Sequence, residues 1–125
     1  MPGTVVTTEI THRTVKKIKF AWTSENGGGD AGKAGATTTG YYTGEIIRLV
    51  TIPNTAGTQP TDQYDVVVND ADSTDVLMGA GANRSNANTE QVLASSLGCV
   101  VESPLTLAIT NAGNAKTGTT IVYIR

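Results

Sequence analysis

An all-β fold, an antiparallel β-sandwich of jelly-roll-like form with about eight short strands, is what this sequence predicts. Three observations predict it. Threonine is the commonest residue, with Val and Ile also frequent, and β-branched side chains are stiff at χ1 and suit a pleated surface. Three segments alternate apolar with mostly polar or small residues, so that Ile18, Phe20 and Trp22, then Tyr64, Val66 and Val68, then Leu105, Leu107 and Ile109 each share one face. No segment holds apolar residues at helical spacing over three turns.

The elements follow in order. The Thr/Val run from Thr4 to Ile10 is a first strand, or an N-terminal arm over residues 1–12. Val15 to Trp22 is a half-buried strand whose wet face carries Lys17 and Lys19. Residues 24–39 are largely Gly, Ala and Thr without an apolar anchor, which predicts a long flexible loop, mobile in the free protein. Tyr41 to Ile52 is a second long strand, with Gly44 marking a bulge. After a loop over residues 53–62, Tyr64 to Asn69 forms a strand, and the polar run Asn69 to Thr74 turns the chain into a short strand, Asp75 to Met78. Residues 79–88 form a loop, and Thr89 to Leu93 is either one helical turn or an edge strand, the strand being preferred. Leu105 to Thr110 and Thr119 to Ile124, joined by a turn over residues 111–118, form a C-terminal hairpin. The nine residues Ile18, Phe20, Trp22, Tyr64, Val66, Val68, Leu105, Leu107 and Ile109 are expected to share one core.

A chain of 125 residues suits one domain with a core that needs no staples. Only 16% of residues are charged and the net charge is −2, which lacks the basic excess of a protein that coats nucleic acid. No direct nucleic-acid contact is expected. Cys99 is the single cysteine, so an internal disulfide and a multi-cysteine zinc cage are excluded, and it reads as a small buried hydrophobe. Residues 1–4 lack a secretory pattern, and no aliphatic stretch approaches a membrane span, so synthesis in a cytoplasm and no membrane contact are expected.

Motifs that carry chemistry are weak. Gly27, Gly29 and Gly32 satisfy G-x-G-x-x-G, and Lys33 extends the match towards a phosphate loop. Ala34 then lacks the hydroxyl that would bind magnesium, and the following Gly/Thr run is a poor helix, so nucleotide binding is rejected. Asp70, Asp72 and Asp75 have the oxygen density of a calcium loop, but Asp75 occupies the position where the EF-hand needs Gly. A turn whose side chains bond their own backbone is the reading preferred. His12 has no nucleophile motif or metal-ligand spacing around it and reads as a surface residue. Neither a catalytic set, a cofactor nor a metal is expected. The basic cluster Arg13, Lys16, Lys17 and Lys19 is either a solvated strand face or a strip for docking onto an acidic partner surface.

Residues 17–24 (KIKFAWTS), three segments between Asp62 and Ser85, residues 109–116 (ITNAGNAK) and the closing IVYIR, residues 121–125, resemble a group of small virion proteins of tailed bacteriophages. The resemblance implies a structural protein rather than an enzyme, located in the virion after synthesis in the host cytoplasm. It implies a capsid decoration (cement) protein whose partners are the major capsid protein or other virion proteins, homo-oligomeric on the particle. A neck or tail component, and a host-surface or carbohydrate-binding β module, are the alternatives.

Overall fold

The structure, a computed structural model, describes residues 2–125. Its strands are β1 (Thr4–His12), β2 (Val15–Thr23), β3 (Ala34–Thr37), β4 (Tyr42–Pro53), β5 (Asp65–Asn69), β6 (Glu90–Leu93), β7 (Val100–Ser103), β8 (Thr106–Thr110) and β9 (Thr117–Ile124). A six-stranded sheet has the order β1-β2-β9-β4-β6, with β7 pairing the first part of β4, and a three-stranded sheet has the order β3-β8-β5. All strand pairs are antiparallel. The pairs β2–β9 in the large sheet, β3–β8 in the small one and β4–β6 or β4–β7 back in the large one alternate between layers. A long hairpin wrapped around a barrel pairs in this way, which gives the sandwich its jelly-roll character.

All nine residues expected in the core are at most 1% exposed, and they belong to one apolar cluster between the sheets. Strict alternation explains this, because a strand with one buried face must place every second side chain in the core. Trp22 of β2 and Tyr64, just before β5, meet with ring centroids 5.5 Å apart and planes tilted by 54°, a favoured aromatic geometry. Gly118 makes room for this pair: a Cβ there would lie 2.5 Å from the Trp22 ring. Burial pushes the Tyr64 phenol up to about 12.

Four local expectations are corrected. Residues 24–39 are not one long loop, because β3 lies within them and pairs β8 from Ala34↔Ile109 to Thr37↔Thr106. Polar atoms supply the anchors that apolar ones do not: the buried Ser24 hydroxyl donates to the Gly113 carbonyl and accepts from the Lys116 amide. The buried Thr38 hydroxyl likewise donates to Gly40 O and accepts from the Leu105 amide. Residues 75–78 form no strand: Asp75 makes a single bridge to Asn69 and 76–78 are turns, since Asp75 accepts the amides of Val68, Leu77 and Gly79 and so curls the chain. The last two strands form no hairpin: β8 lies in the small sheet and β9 in the large one, so residues 111–116 cross between layers. The bulge in β4 falls between Ile46 and Arg48 rather than at Gly44. Before it Tyr42 and Ile46 face inward, and after it Leu49 and Thr51 do, because one extra residue inverts the alternation.

The residues of the N-terminal arm are strand β1, paired in continuous register with β2 from Thr4↔Thr23 to His12↔Val15. Glu9 holds this strand against the loop after β3. Its carboxylate accepts the amides of Thr39 and Gly40, each at 2.9 Å, and the Tyr42 hydroxyl at 2.6 Å. Burial alone would raise the Glu9 carboxyl, but these hydrogen bonds outweigh it and hold the group below the usual carboxylate range. Burial, then the bond to Glu9, pushes the Tyr42 phenol upward.

Candidate functional site

The outer face of the six-stranded sheet is built from β1, β2, β9, β4 and β6. Alternation places Thr8 and Ile10 of β1 on this face, Lys17 and Lys19 of β2, Ile121 and Tyr123 of β9, Arg48 and Val50 of β4, and Gln91 and Leu93 of β6. Register lines them into two rows. One runs Ile10, Lys17, Tyr123, Arg48, Leu93, and the next runs Thr8, Lys19, Ile121, Val50, Gln91.

Val50 and Ile121 are only 5% and 8% exposed, yet neither belongs to the core cluster between the sheets. They form an apolar centre on the outer face, covered by the stems of the longer side chains around them. The Tyr123 ring lies between two cations, with Lys17 Nζ 5.8 Å and the Arg48 guanidinium 4.9 Å from its centroid, within the range of cation–π attraction. Arg48 is held in place by bonds from its Nε and Nη2 to Gln91 Oε1, at 3.0 and 2.6 Å. Around this centre stand exposed apolar side chains: Val6 at 70%, Ile10 at 52% and Leu93 at 62%. Towards Val6 the face sinks into a depression of about 440 Å³ lined by Ala21, Ile52, Pro53 and Thr119 among others.

No family model, curated protein or solved structure matches the chain. The chemistry of this face therefore rests on its own residues. An apolar centre under aromatic and arginine side chains, with exposed aliphatic side chains around it, is a composition that suits protein docking. The cations add attraction for an acidic surface.

The basic cluster read from the sequence divides between two faces. Lys17 and Lys19 stand on the outer face, as their alternation predicts. Lys16 has the parity of the core residues, and its Nζ donates to the Thr43 carbonyl at 2.8 Å, so it stands outside the outer-face rows of Lys17 and Lys19. Arg13 sits at φ 58° in the two-residue turn between β1 and β2, exposed beside the equally exposed His12. Arg48, Tyr123, Val50 and Ile121 escaped the sequence reading. The Ile46/Arg48 bulge is the signal that reveals Arg48 and Val50, because without it their parity places them in the core.

Of the three acidic residues considered for a cation, Asp70 Oδ1 accepts the amides of Asp72 and Thr74, and Asp75 accepts three amides. These carboxylates shape a turn. The glycine-rich segment, residues 27–33, forms surface turns with a weak Lys33–Asp30 pair at 3.9 Å, and no helix follows it. Cys99 is half-buried against the core.

Proposed function

We propose that this chain is a structural protein of a bacteriophage virion, a decoration protein that binds the assembled head shell through the outer face of its large sheet. The observation that carries the reading is the outer face itself: Val50 and Ile121 make an apolar centre that adds nothing to the core, under Lys17, Tyr123 and Arg48. The virion context rests on the resemblance of several sequence segments to small phage virion proteins. A jelly-roll-like sandwich is a common architecture for such components.

In this reading the major capsid protein is the partner. Apolar contact through the exposed Val6, Ile10 and Leu93 around the centre supplies affinity, and Lys17, Lys19 and Arg48 steer the protein onto an acidic shell. Many identical sites on a lattice let a moderate single-site affinity produce high occupancy on the particle. Binding only to the assembled shell then stabilises that shell by mass action.

The test adds purified protein to expanded capsids that lack it, then measures bound copies and the temperature of DNA release. Expected are copies in proportion to the capsid subunits, a higher release temperature, and attachment that weakens as salt rises. Binding at a single vertex would instead assign the protein to the neck. Absence from the virion would overturn both assignments.

A further inference from the structure

We infer that the free edge of β1 is a pairing site for a second copy of this chain, joining two large sheets into one continuous sheet across a twofold axis centred on Thr8. This inference is independent of the virion reading. It rests on the edge itself.

The two ends of the large sheet differ in kind. At one end the edge is divided between β6 and β7, each of four residues, and such short strands offer little to a neighbour. At the other end β1 runs nine residues without a register shift. It holds no proline and no lysine, and its one carboxylate, Glu9, is turned inward onto Thr39, Gly40 and Tyr42. Proline, lysine and a bulge, three guards against strand pairing, are therefore missing where the edge is longest, and the inward Glu9 is satisfied by hydrogen bonds within the chain.

Hydrogen-bond parity fixes which backbone groups are available. His12 and Val15 flank a two-residue turn, so they exchange ladder bonds, and the alternation of an antiparallel pair assigns residues 4, 6, 8, 10 and 12 to β2. The N–H and C=O groups of Val5, Thr7, Glu9 and Thr11 point away from β2. Among the described residues none of these groups has another backbone partner.

The sequence of β1 matches itself. Centred on Thr8, an antiparallel pair uses all nine residues, sets Thr7 against Glu9 and Val5 against Thr11 as bonded pairs, and places each exposed Val6 opposite Ile10 of the second copy. Two apolar cross-strand pairs then cover side chains that are 70% and 52% exposed in the single chain. Centring on Glu9 would oppose two carboxylates, and centring on Thr7 would leave Thr11 and His12 unpaired. Only the Thr8 register avoids both. It also continues the outer face from one copy to the other, so the Lys17, Tyr123 and Arg48 patches would share one surface.

Sedimentation of the full chain tests this. The mass should rise with concentration from 12.9 kDa to about twice that value for an isologous pair. Thr7→Pro removes an outward N–H without touching the β2 ladder and should weaken dimerisation about tenfold or more. Val6→Lys, at an exposed position, should do the same with the fold intact by circular dichroism, and it decides the matter if the proline variant does not fold. In a Cys99→Ser background, Thr8→Cys should form a disulfide-linked dimer on mild oxidation, whereas Thr11→Cys should not. A mass of one chain at every concentration, a dimer that survives Val6→Lys, or no Thr8→Cys cross-link would overturn the inference.

Discussion

The two sheets turn similar inner faces to one core but very different outer faces to their surroundings. On the large sheet the outer face carries a buried apolar pair, Val50 and Ile121, an aromatic ring between two cations, and several exposed aliphatic side chains. On the small sheet the outward residues are Gly35 and Thr37 of β3, Asp65, Val67 and Asn69 of β5, and Thr106, Ala108 and Thr110 of β8. Its polar groups are satisfied locally, through the Thr37–Thr106 hydroxyl pair at 2.9 Å and the Asn111 amide donating to Asp65 at 2.7 Å. The difference teaches that one face is finished as a polar surface, whereas the other leaves Val6, Ile10 and Leu93 exposed around its cations.

The costliest way to break this comparison is to cut the layer that the two sheets share. Trp22→Ala, from the large sheet, is expected to lose about 3–5 kcal/mol, and Leu107→Ala, from the small one, about 2–5 kcal/mol. Denaturant midpoints check both. A near-unchanged midpoint for Trp22→Ala would mean that the indole is not part of a common core.

Glu9→Gln tests the pin that holds the edge of the large sheet. Losing charge-assisted bonds to two amides and the Tyr42 hydroxyl is expected to cost about 1–3 kcal/mol at neutral pH. The sign with pH follows from the lowered carboxyl. Its stabilisation is fully present above the unfolded value of about 4.3 and is lost as pH falls through the lower folded value. Unfolding curves at pH 7 and pH 3 should therefore show the difference between wild type and Glu9→Gln shrinking in acid.

The smallest stability effects sharpen the contrast between the outer faces most. Lys17→Glu and Arg48→Glu, which also lose contact with Tyr123, should each change stability by about 1 kcal/mol, and Thr110→Glu, on the small sheet, by no more than about 0.5 kcal/mol. Attachment to capsids should separate them: the first two should lose salt-sensitive binding, and Thr110→Glu should keep it. Equal losses from all three would erase the distinction between the faces.

Much of the core was legible because a period of two is hard to imitate. Residues such as Phe20, Val66 and Leu107 had to fall on one side of any strand they belonged to. Three things were not legible, each for a physical reason. The β3 strand is anchored by the hydroxyls of Ser24 and Thr38 and by a ladder with β8, and a Gly/Ala/Thr run carries no apolar pattern to announce it. Val100 to Ser103 passed without assignment, because its four residues become a strand only through pairing with β4. The outer face of the large sheet was half read: alternation found Lys17 and Lys19, but the bulge in β4 hid Arg48 and Val50 behind inverted parity. Lys16, grouped with Lys17 and Lys19 by sequence proximity, sits where a strand end lets a long side chain reach the neighbouring carbonyl of Thr43.

The position of β9 has a consequence for how the domain forms. This strand lies between β2 and β4, although it follows both in the chain, and its pairing with β2 brings Lys16 opposite Ile124. During synthesis β2 and β4 must therefore wait with open edges until residues 117–124 emerge. The β1–β2 hairpin alone is marginally stable in water, so little can fold ahead of the last strand. Closing so long a loop before any of its contacts form puts folding in the range of about milliseconds to seconds rather than microseconds. Until β9 arrives, the nascent chain exposes its central strands to aggregation and to chaperones.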